Sequence, residues 1–263
     1  MKTAFLTVIA FLSASLRLSP QSAPTITISD SGDQGLPVVQ EVVEYTLNPE
    51  IKPTKVTSGS TKWWGYPETI LDATRSGNDL LVLVNKEYKL PQSYAPSDLV
   101  LASNAGLRRG GSYYLRSILI DDLRNMVNAA TTDSIDLSIV SGYRSYSTQA
   151  STYNYWVSVN GQDGGDKISA RPGHSQHQLG TAIDFSSSEV ADGLGGSFKN
   201  TNAAAWLANN SWKYGFVISY PSGYEAVTGY SYESWHYRYI GIANAKEMHD
   251  SGMILELYLR SKN

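Results

Sequence analysis

Cysteine is absent from the 263-residue chain. This absence excludes disulfide bonds, a cysteine nucleophile, thiolate ligands to a metal and a lipid anchor attached to a thiol. A metal site must therefore be built from histidine and carboxylate side chains. Histidine is itself scarce, and the four imidazoles are those of His174, His177, His236 and His249.

Excess positive charge is also missing. Twenty-one lysines and arginines stand against 24 acids, which gives a formal net charge of -3 at pH 7. Binding to nucleic-acid phosphates requires clustered lysine and arginine, so we expect no nucleic-acid partner. The 41% hydrophobic content is enough for one sizeable core. Disorder of the whole chain is thereby excluded.

A long apolar run is missing at the N-terminus. Residues 1–23 contain Lys2, then an apolar stretch from Ala4 to Leu12, then small residues, which is the pattern of a secretory signal. A membrane helix needs about 20 apolar residues, and Arg17 interrupts this segment. We therefore expect export, with an uncleaved membrane anchor as the alternative. Any membrane contact is expected through this segment alone.

The rest of the chain divides by composition into two parts. Residues 24–62 are rich in Thr, Ser, Gly and Pro, which predicts an extended linker. Residues 63–263 are predicted to form the folded domain. Strand and helix patterns mix irregularly there, which favours an α+β domain with a small antiparallel sheet and flanking helices.

Hydrophobic spacing predicts the individual elements of this domain. The predicted strands span residues 80–84, 135–139, 179–185, 216–220 and 235–240. The predicted helices span residues 114–130, 147–160, 201–214 and 242–249, and the last is interpreted as the final helix. Residues 162–170 are glycine-rich and acidic, and we interpret them as a loop at the rim of a cleft.

Two imidazoles and a carboxylate lie close together in residues 171–185. If residues 179–185 form a strand, Gly180, Ala182 and Asp184 share one face. The small neighbours leave an open floor on which Asp184 could bind an ion, and His177 in the preceding turn could reach the same ion. A hydrolytic zinc site takes three protein ligands and leaves one position open. His236, beside an acid in residues 233–239, is the candidate for the third ligand.

These stretches resemble the VanY-type D-alanyl-D-alanine carboxypeptidases, which are zinc peptidases that trim peptidoglycan stem peptides. The two main motifs are Ser175-x-His177-x-x-Gly180-x-Ala182-x-Asp184 and Glu233-x-Trp235-His236-x-Arg238-Tyr239. Further similarity lies upstream in Leu83-Val-Asn-Lys86, Leu90-Pro91, Tyr94-x-Pro96-x-Asp98-Leu99 and Ser141-Gly-Tyr-Arg-Ser145-x-x-x-Gln149. The resemblance covers roughly residues 80–245 and implies the α+β fold of Hedgehog and D,D-peptidase domains.

The resemblance also implies roles for individual residues. One zinc ion per chain is expected on His177, Asp184 and His236, which form a ligand set suited to zinc. Glu233 is the expected general base, and it should precede the strand, because an odd offset from His236 would place it on the opposite face.

Substrate contacts are expected from a second group. Arg144 is expected to hold a substrate carboxylate or to stabilise the oxyanion. Gln149 and Ser175 are candidate hydrogen-bond donors to the stem peptide. His174 and His249 fall outside the motifs and are not assigned to the metal.

The leading hypothesis is a zinc-dependent D,D-carboxypeptidase that acts on peptidoglycan stem peptides, exported to the exterior or cell envelope of a bacterium and monomeric. An L,D-carboxypeptidase and an endolysin-like peptidoglycan peptidase are alternatives on the same scaffold. A cell-wall-binding zinc module without catalysis is the alternative of another class. The presence of both Glu233 and Arg144 favours an enzyme, because a binding module needs neither.

Overall fold

A computed structural model describes residues 62–263. The predicted leader and almost all of the predicted linker lie outside these described residues. The strands are β1 (Leu71–Asp72), β2 (Tyr88–Lys89), β3 (Leu99–Leu101), β4 (Tyr114–Arg116), β5 (Ser138–Ser141), β6 (Ala182–Ser186), β7 (Phe216–Ile218) and β8 (His236–Tyr239). The α-helices are α1 (Ile120–Thr132), α2 (Tyr146–Ile168), α3 (Asn202–Asn210), α4 (Glu225–Thr228), α5 (Ile242–Ser251) and α6 (Leu255–Lys262).

The centre of the domain is a four-stranded antiparallel sheet with the strand order β5-β6-β8-β7. Side chains alternate across each strand, so Ile183 and Phe185 enter one core while Ala182 and Asp184 face the other side. Two short two-stranded sheets, β1 with β2 and β3 with β4, flank it. The α+β fold predicted from the sequence is thus confirmed.

The main core lies between one face of this sheet and helix α1. Phe185 contacts Phe216 and Tyr237 edge-on, with ring centroids 6.4 and 5.8 Å apart, and Leu123 and Met126 of α1 belong to the same cluster. Truncation of such a buried aromatic costs about 3–5 kcal/mol of stability. The sheet is therefore a rigid platform for residues on its other face.

A second hydrophobic cluster joins helices α5 and α6 to the sheet through Val217, Ile240 and Tyr258. Residues 242–249 are helical as predicted, within α5, but the expectation that this is the final helix is wrong. Helix α5 ends at Ser251, Gly252 follows it with φ +67°, and α6 comes next. Apolar residues in that last segment, including Leu255 and Leu259, pack into this cluster.

The predicted strand at residues 80–84 is also wrong, because this segment is irregular. Val82 and Val84 are buried in one cluster and Leu83 in another, so burial alone explains the apolar run. The carbonyl groups of Leu80 and Val82 accept hydrogen bonds from the Arg238 guanidinium, at 3.0 and 2.8 Å. A buried side chain thus replaces a neighbouring strand as hydrogen-bond donor.

One predicted helix and one predicted loop differ from the structure. The helix predicted at residues 114–130 begins as strand β4, which pairs with β3, and becomes helical only after the 3-10 turn Ser117–Leu119. Residues 162–168, predicted as a loop, are helical and follow a break at Gly161, whose φ is +70°. Asp166 holds this second segment through hydrogen bonds from Tyr153 and Arg171.

None of the helices described between residues 62 and 263 combines the length and the apolar character that crossing a bilayer requires.

Candidate active site

Three elements bring the predicted metal ligands together. Asp184 lies in the middle of β6, and His236 lies directly opposite it at the start of β8. His177 comes from the 3-10 turn Gln176–Leu179 that leads into β6. All three side chains are buried. Their donor atoms lie within 4.8 Å of one another, so they could hold one metal ion.

The hydrogen bonds define which atom of each residue faces the others. His177 Nε2 is 3.2 Å from one carboxylate oxygen of Asp184, and His236 Nδ1 is 2.9 Å from the other. The remaining nitrogens point outward. His177 Nδ1 lies 2.8 Å from Gly142 O, and His236 Nε2 lies 3.2 Å from Gln176 Oε1. Each imidazole therefore directs one nitrogen to the centre and uses the other for support.

The ionisation of Asp184 and of His177 suits metal binding. Burial alone would raise the pKa of Asp184, but His177 and His236 hold that pKa well below its usual range. Burial lowers the pKa of His177, against the opposing effect of Asp184. A neutral imidazole beside a charged carboxylate has a free lone pair for a cation.

The turn that carries His177 is fixed at both ends. The Ser175 hydroxyl accepts a hydrogen bond from the His177 backbone N–H at 3.3 Å. Gly180 ends the turn with φ +68°, and an added Cβ would approach the side chains of Arg116 and Leu99 at 3.0 and 3.1 Å. Gly180 therefore precedes β6 and is not part of the predicted floor, and of the two small residues only Ala182 lies in the strand, on the face of Asp184.

Glu233 lies before β8, as its offset from His236 predicted. Its Oε2 is 3.7 Å from His236 Nδ1, and its side chain is 14% exposed. Burial, reinforced by the charge of Asp184, raises the pKa of Glu233 well above its usual range, while Arg144 opposes the shift. The ionised form of a carboxyl group with a raised pKa is a stronger base than the carboxylate of an ordinary glutamate.

Arg144 follows β5 and is held by two side chains. Its Nη1 donates to Gln149 Oε1 at 2.7 Å, and its Nη2 donates to Ser141 Oγ at 2.9 Å. Gln149 in turn donates through Nε2 to the Ala170 carbonyl group at 2.6 Å. Burial lowers the pKa of Arg144 from its ordinary value, although Asp184 and Glu233 oppose this. The guanidinium is thus fixed in orientation within the negative field of two carboxylates.

The predicted site residues share one cavity of about 300 Å³. Its lining includes the triad, Glu233, Arg144, Gln149 and Ser175. Aromatic and aliphatic side chains complete the wall, among them Trp156, Ile168, Leu194, Tyr220 and Tyr230. Cavities of this size accept small ligands, and a few polar groups in an apolar wall orient them.

The sequence did not indicate two residues that contact His236. Gln176 stands between the motif positions Ser175 and His177, and its contact with His236 becomes visible only when β8 is placed. Tyr220 packs on the His236 ring with centroids 4.9 Å apart and has no motif of its own. For Gln176, its place in the sequence was the available signal of a role in the site, because a residue between two site residues on a tight turn must lie near the site.

The two unassigned histidines lie apart from the triad. His174 Nδ1 is 2.7 Å from the Asn85 carbonyl oxygen, and burial lowers the pKa of His174 to about 4. His249 stacks on Trp212, with ring centroids 3.9 Å apart. Both have structural partners of their own.

The donor set fits a zinc ion. Two imidazole nitrogens and one carboxylate oxygen are ligands that Zn²⁺ prefers, and three protein ligands leave a fourth position for water or substrate. The outer nitrogen of each histidine also has a partner, Gly142 O for His177 and Gln176 Oε1 for His236, which is typical of metal sites. The residues present therefore fit the metal that the resemblance implies.

Comparison with known proteins agrees with this arrangement. The sequence model of the VanY family, described as D-alanyl-D-alanine carboxypeptidase, matches residues 112–242. The putative carboxypeptidase YodJ of Bacillus subtilis (strain 168) is 38% identical over 190 residues, which are 72% of this chain and 70% of YodJ.

Solved structures show the same similarity. The LdcB LD-carboxypeptidase, whose structure concerns peptidoglycan recognition, has a TM-score of 0.64 and 37% identity over 71% of this chain and 88% of its own. A mutant of the D,D-pentapeptidase VanY from the VanB-type vancomycin resistance cassette, in complex with Zn(II), has a TM-score of 0.57 and 29% identity over 68% of this chain and 98% of its own.

Proposed function

Because the chain belongs to the VanY family of D-alanyl-D-alanine carboxypeptidases, we propose that it is a zinc-dependent enzyme that releases the terminal D-alanine of peptidoglycan stem peptides. The finer proposal is D,D-hydrolysis of the D-Ala-D-Ala bond. The observation that carries the carboxypeptidase activity is a fixed guanidinium, that of Arg144, in the same cavity as the His177-Asp184-His236 triad and Glu233. The D,D-specificity is supported by the description of the matching family model. A C-terminal carboxylate and a scissile amide can be bound together there.

Each residue has a chemical task in this proposal. His177, Asp184 and His236 would hold the zinc ion, which supplies Lewis-acid polarisation of the amide and acidifies water. Glu233 accepts the proton of the attacking water and delivers it to the amine nitrogen as the C–N bond breaks. One water is consumed, and the products are a shortened peptide with a new carboxylate and a free amino acid.

Arg144 supplies the recognition. A guanidinium offers planar, permanently charged donors that match a carboxylate or a developing oxyanion. Gln149 and Ser141 occupy one donor on each of two guanidinium nitrogens, which leaves others for the substrate. Gln149 thus supports Arg144. We propose that any contact of Gln149 with the substrate is made together with that arginine, at the same subsite. The Ser175 hydroxyl remains a proposed substrate contact.

L,D-hydrolysis is the second candidate, and one observation favours it. The LD-carboxypeptidase LdcB has both a higher identity and a higher TM-score than the VanY D,D-pentapeptidase. Both reactions release D-alanine. In the pentapeptide the cleaved bond joins this residue to another D-alanine, and in the tetrapeptide it joins this residue to an L-residue. The Arg144 subsite is common to both, so the choice depends on the wall around the penultimate residue.

Mass spectrometry of cleaved stem peptides tests the proposal. The zinc-loaded protein is expected to release one D-alanine from the pentapeptide, to act much more slowly on the tetrapeptide, and to leave a pentapeptide with an amidated C-terminus intact. Faster cleavage of the tetrapeptide than of the pentapeptide would show that the enzyme is L,D-specific and not D,D-specific. Equal cleavage of the amidated peptide would refute carboxylate recognition, and binding of zinc and peptide without any cleavage would favour a wall-binding module.

A further inference from the structure

The carboxamide of Gln176 links a metal ligand to a neighbouring strand end. Gln176 Oε1 lies 3.2 Å from His236 Nε2 and accepts a hydrogen bond from Ser219 Oγ at 2.7 Å. Gln176, His236 and Ser219 are 5%, 3% and 2% exposed. Water therefore competes little for these contacts, and a buried polar group here depends on its protein partner.

The ring orientation of His236 gives this contact a chemical meaning. His236 Nδ1 is the nitrogen that faces Asp184, at 2.9 Å. If Nδ1 binds an ion through its lone pair, the single proton of the neutral ring must be on Nε2. That N–H requires an acceptor, and Gln176 Oε1 is in position to accept it.

Ser219 supports the end of the carboxamide that faces the ring. Its hydroxyl donates to the same oxygen, and rotating the amide by 180° would place an NH₂ group against the Nε2–H of His236. The carboxamide oxygen therefore accepts from both His236 and Ser219. The other histidine differs, because His177 Nδ1 contacts a backbone carbonyl group, that of Gly142. The Ser141 hydroxyl lies farther from His177 Nδ1, at 3.5 Å, so His236 is the ligand of the pair whose nearest outer partner is a replaceable side chain.

We propose that Gln176 is a positioning residue of the zinc site. It holds His236 in the tautomer that carries its proton on Nε2, and it keeps Nδ1 directed at the metal position. This inference rests on the zinc site of the proposed function. Gln176 lies between Ser175 and His177. The turn that supplies one histidine ligand, His177, therefore also supports the other, His236.

Zinc affinity of the full chain, measured by competition with a chromophoric chelator, tests the proposal. Gln176→Met keeps a similar volume but removes the acceptor, and it is expected to weaken zinc binding about 10- to 100-fold. Gln176→Glu keeps the acceptor and makes the hydrogen bond charge-assisted. It is expected to bind zinc at least as tightly as the unchanged protein.

A matched control lies in the same turn. Gln178 is fully buried and donates to the Pro91 and Tyr94 carbonyl groups, at 3.1 and 3.0 Å, away from the triad. Gln178→Met disturbs the turn to a similar degree and is expected to leave zinc affinity unchanged. Equal losses in Gln176→Met and Gln178→Met would show general damage to the turn and overturn the proposal.

The remaining outcomes are also decisive. Native affinity in Gln176→Met would overturn the positioning role. If that variant does not fold, Ser219→Ala replaces it, and an unchanged zinc affinity there would overturn the proposal because the carboxamide would need no support. Nitrogen-15 NMR of zinc-loaded protein should show the His236 proton on Nε2. Failure of the unchanged protein to bind zinc would instead refute the metal site itself.

Discussion

At the scale of single residues, Glu233 is the group whose environment differs most from that of an exposed glutamate. Burial and the nearby Asp184 charge raise its pKa, and it lies 3.7 Å from a proposed zinc ligand. If Glu233 transfers protons and does not bind metal, Glu233→Gln should keep the zinc and lose about 10²- to 10⁴-fold in turnover. Elemental analysis and D-alanine release measure the two effects. Near-normal turnover would assign proton transfer to another group.

The raised pKa of Glu233 also predicts how stability depends on pH. A carboxyl group whose folded pKa lies above its unfolded value binds more protons in the folded state, so stability is highest below the unfolded pKa and falls as pH rises through the folded pKa. Glu233→Gln removes this loss. In urea titrations of metal-free protein, the stability of the variant relative to the unchanged chain should increase as pH rises above the unfolded pKa of glutamate, about 4.3. Parallel pH profiles would contradict the buried, raised pKa.

Arg144 gives a second prediction at this scale. Gln149 and Ser141 orient its guanidinium, so Arg144→Gln should lower kcat/KM for the free-acid peptide by about 10²-fold, as expected for the loss of a buried charged partner. The variant should also lose the discrimination against an amidated peptide. Arg124→Gln, on the exposed face of α1, is the control and should change neither value. Retained discrimination in Arg144→Gln would place carboxylate recognition elsewhere.

At the scale of elements, the sequence predicted the sheet better than the segments around it. β6 and β8 were found because alternating apolar residues such as Ile183 and Phe185 pack on a core. Residues 80–84 have similar apolar character but do not pair as a strand, because Arg238 donates hydrogen bonds to their carbonyl groups. Arg238 lies 158 positions from Leu80, and no local sequence signal indicates such a partner. Residues 162–168 are helical because Asp166 gains Tyr153 and Arg171 as partners, and composition alone does not show such contacts.

The same reasoning applies to the candidate site. The ligands, Glu233 and Arg144 could be placed from motifs, because each motif lies at a turn or a strand end. The support of His236 by Gln176 could not, since it joins a turn to a strand 60 residues further on. Long-range contacts of this kind depend on the register of the sheet, which a single sequence does not specify.

The loop after β6 offers a prediction at the element scale. Asp192 has φ +57° and accepts hydrogen bonds from Arg108 and from Ser138 Oγ, while the loop brings Leu194 to the cavity rim. Asp192→Ala should lower the free energy of unfolding by about 1–3 kcal/mol and raise KM more than it changes kcat. Urea denaturation and peptide kinetics measure these effects.

A matched ion pair provides the control for this loop. Asp250 pairs with Lys246 on the exposed side of α5, so Asp250→Ala should change stability by less than about 1 kcal/mol. Arg108 also holds the pKa of Asp192 down, to about 2. The contribution of Asp192 should therefore be complete above the unfolded pKa near 4 and decline as pH falls toward 2. Equal effects of the two variants would show that the loop has no special anchor.

At the scale of the whole molecule, the proposed zinc binding should be coupled to folding. A ligand that binds the folded state stabilises it by about 2.7 kcal/mol at a free concentration 100 times Kd, which corresponds to a rise in Tm of roughly 5–10 °C for a domain of this size. Thermal melts of the unchanged protein should show this rise. Asp184→Ala and His236→Ala should not show it and should lose the metal, and full zinc occupancy in both variants would refute the ligand assignment.

The last prediction concerns the division of the chain. The core clusters and every proposed site residue come from residues 80–260, and residues 62–263 belong to one compact unit. We therefore propose that residues 1–23 direct export to the exterior or envelope of a bacterium and that residues 24–62 serve as a linker.

A chain that begins at Lys62 should then have the Tm, zinc stoichiometry and kcat of the full-length protein, but it should remain in the cytoplasm when expressed in bacteria. Fractionation of cells that express the two chains measures the second effect. A large loss of Tm or kcat on truncation would place the N-terminal residues within the folded enzyme, and equal export of both chains would refute the signal.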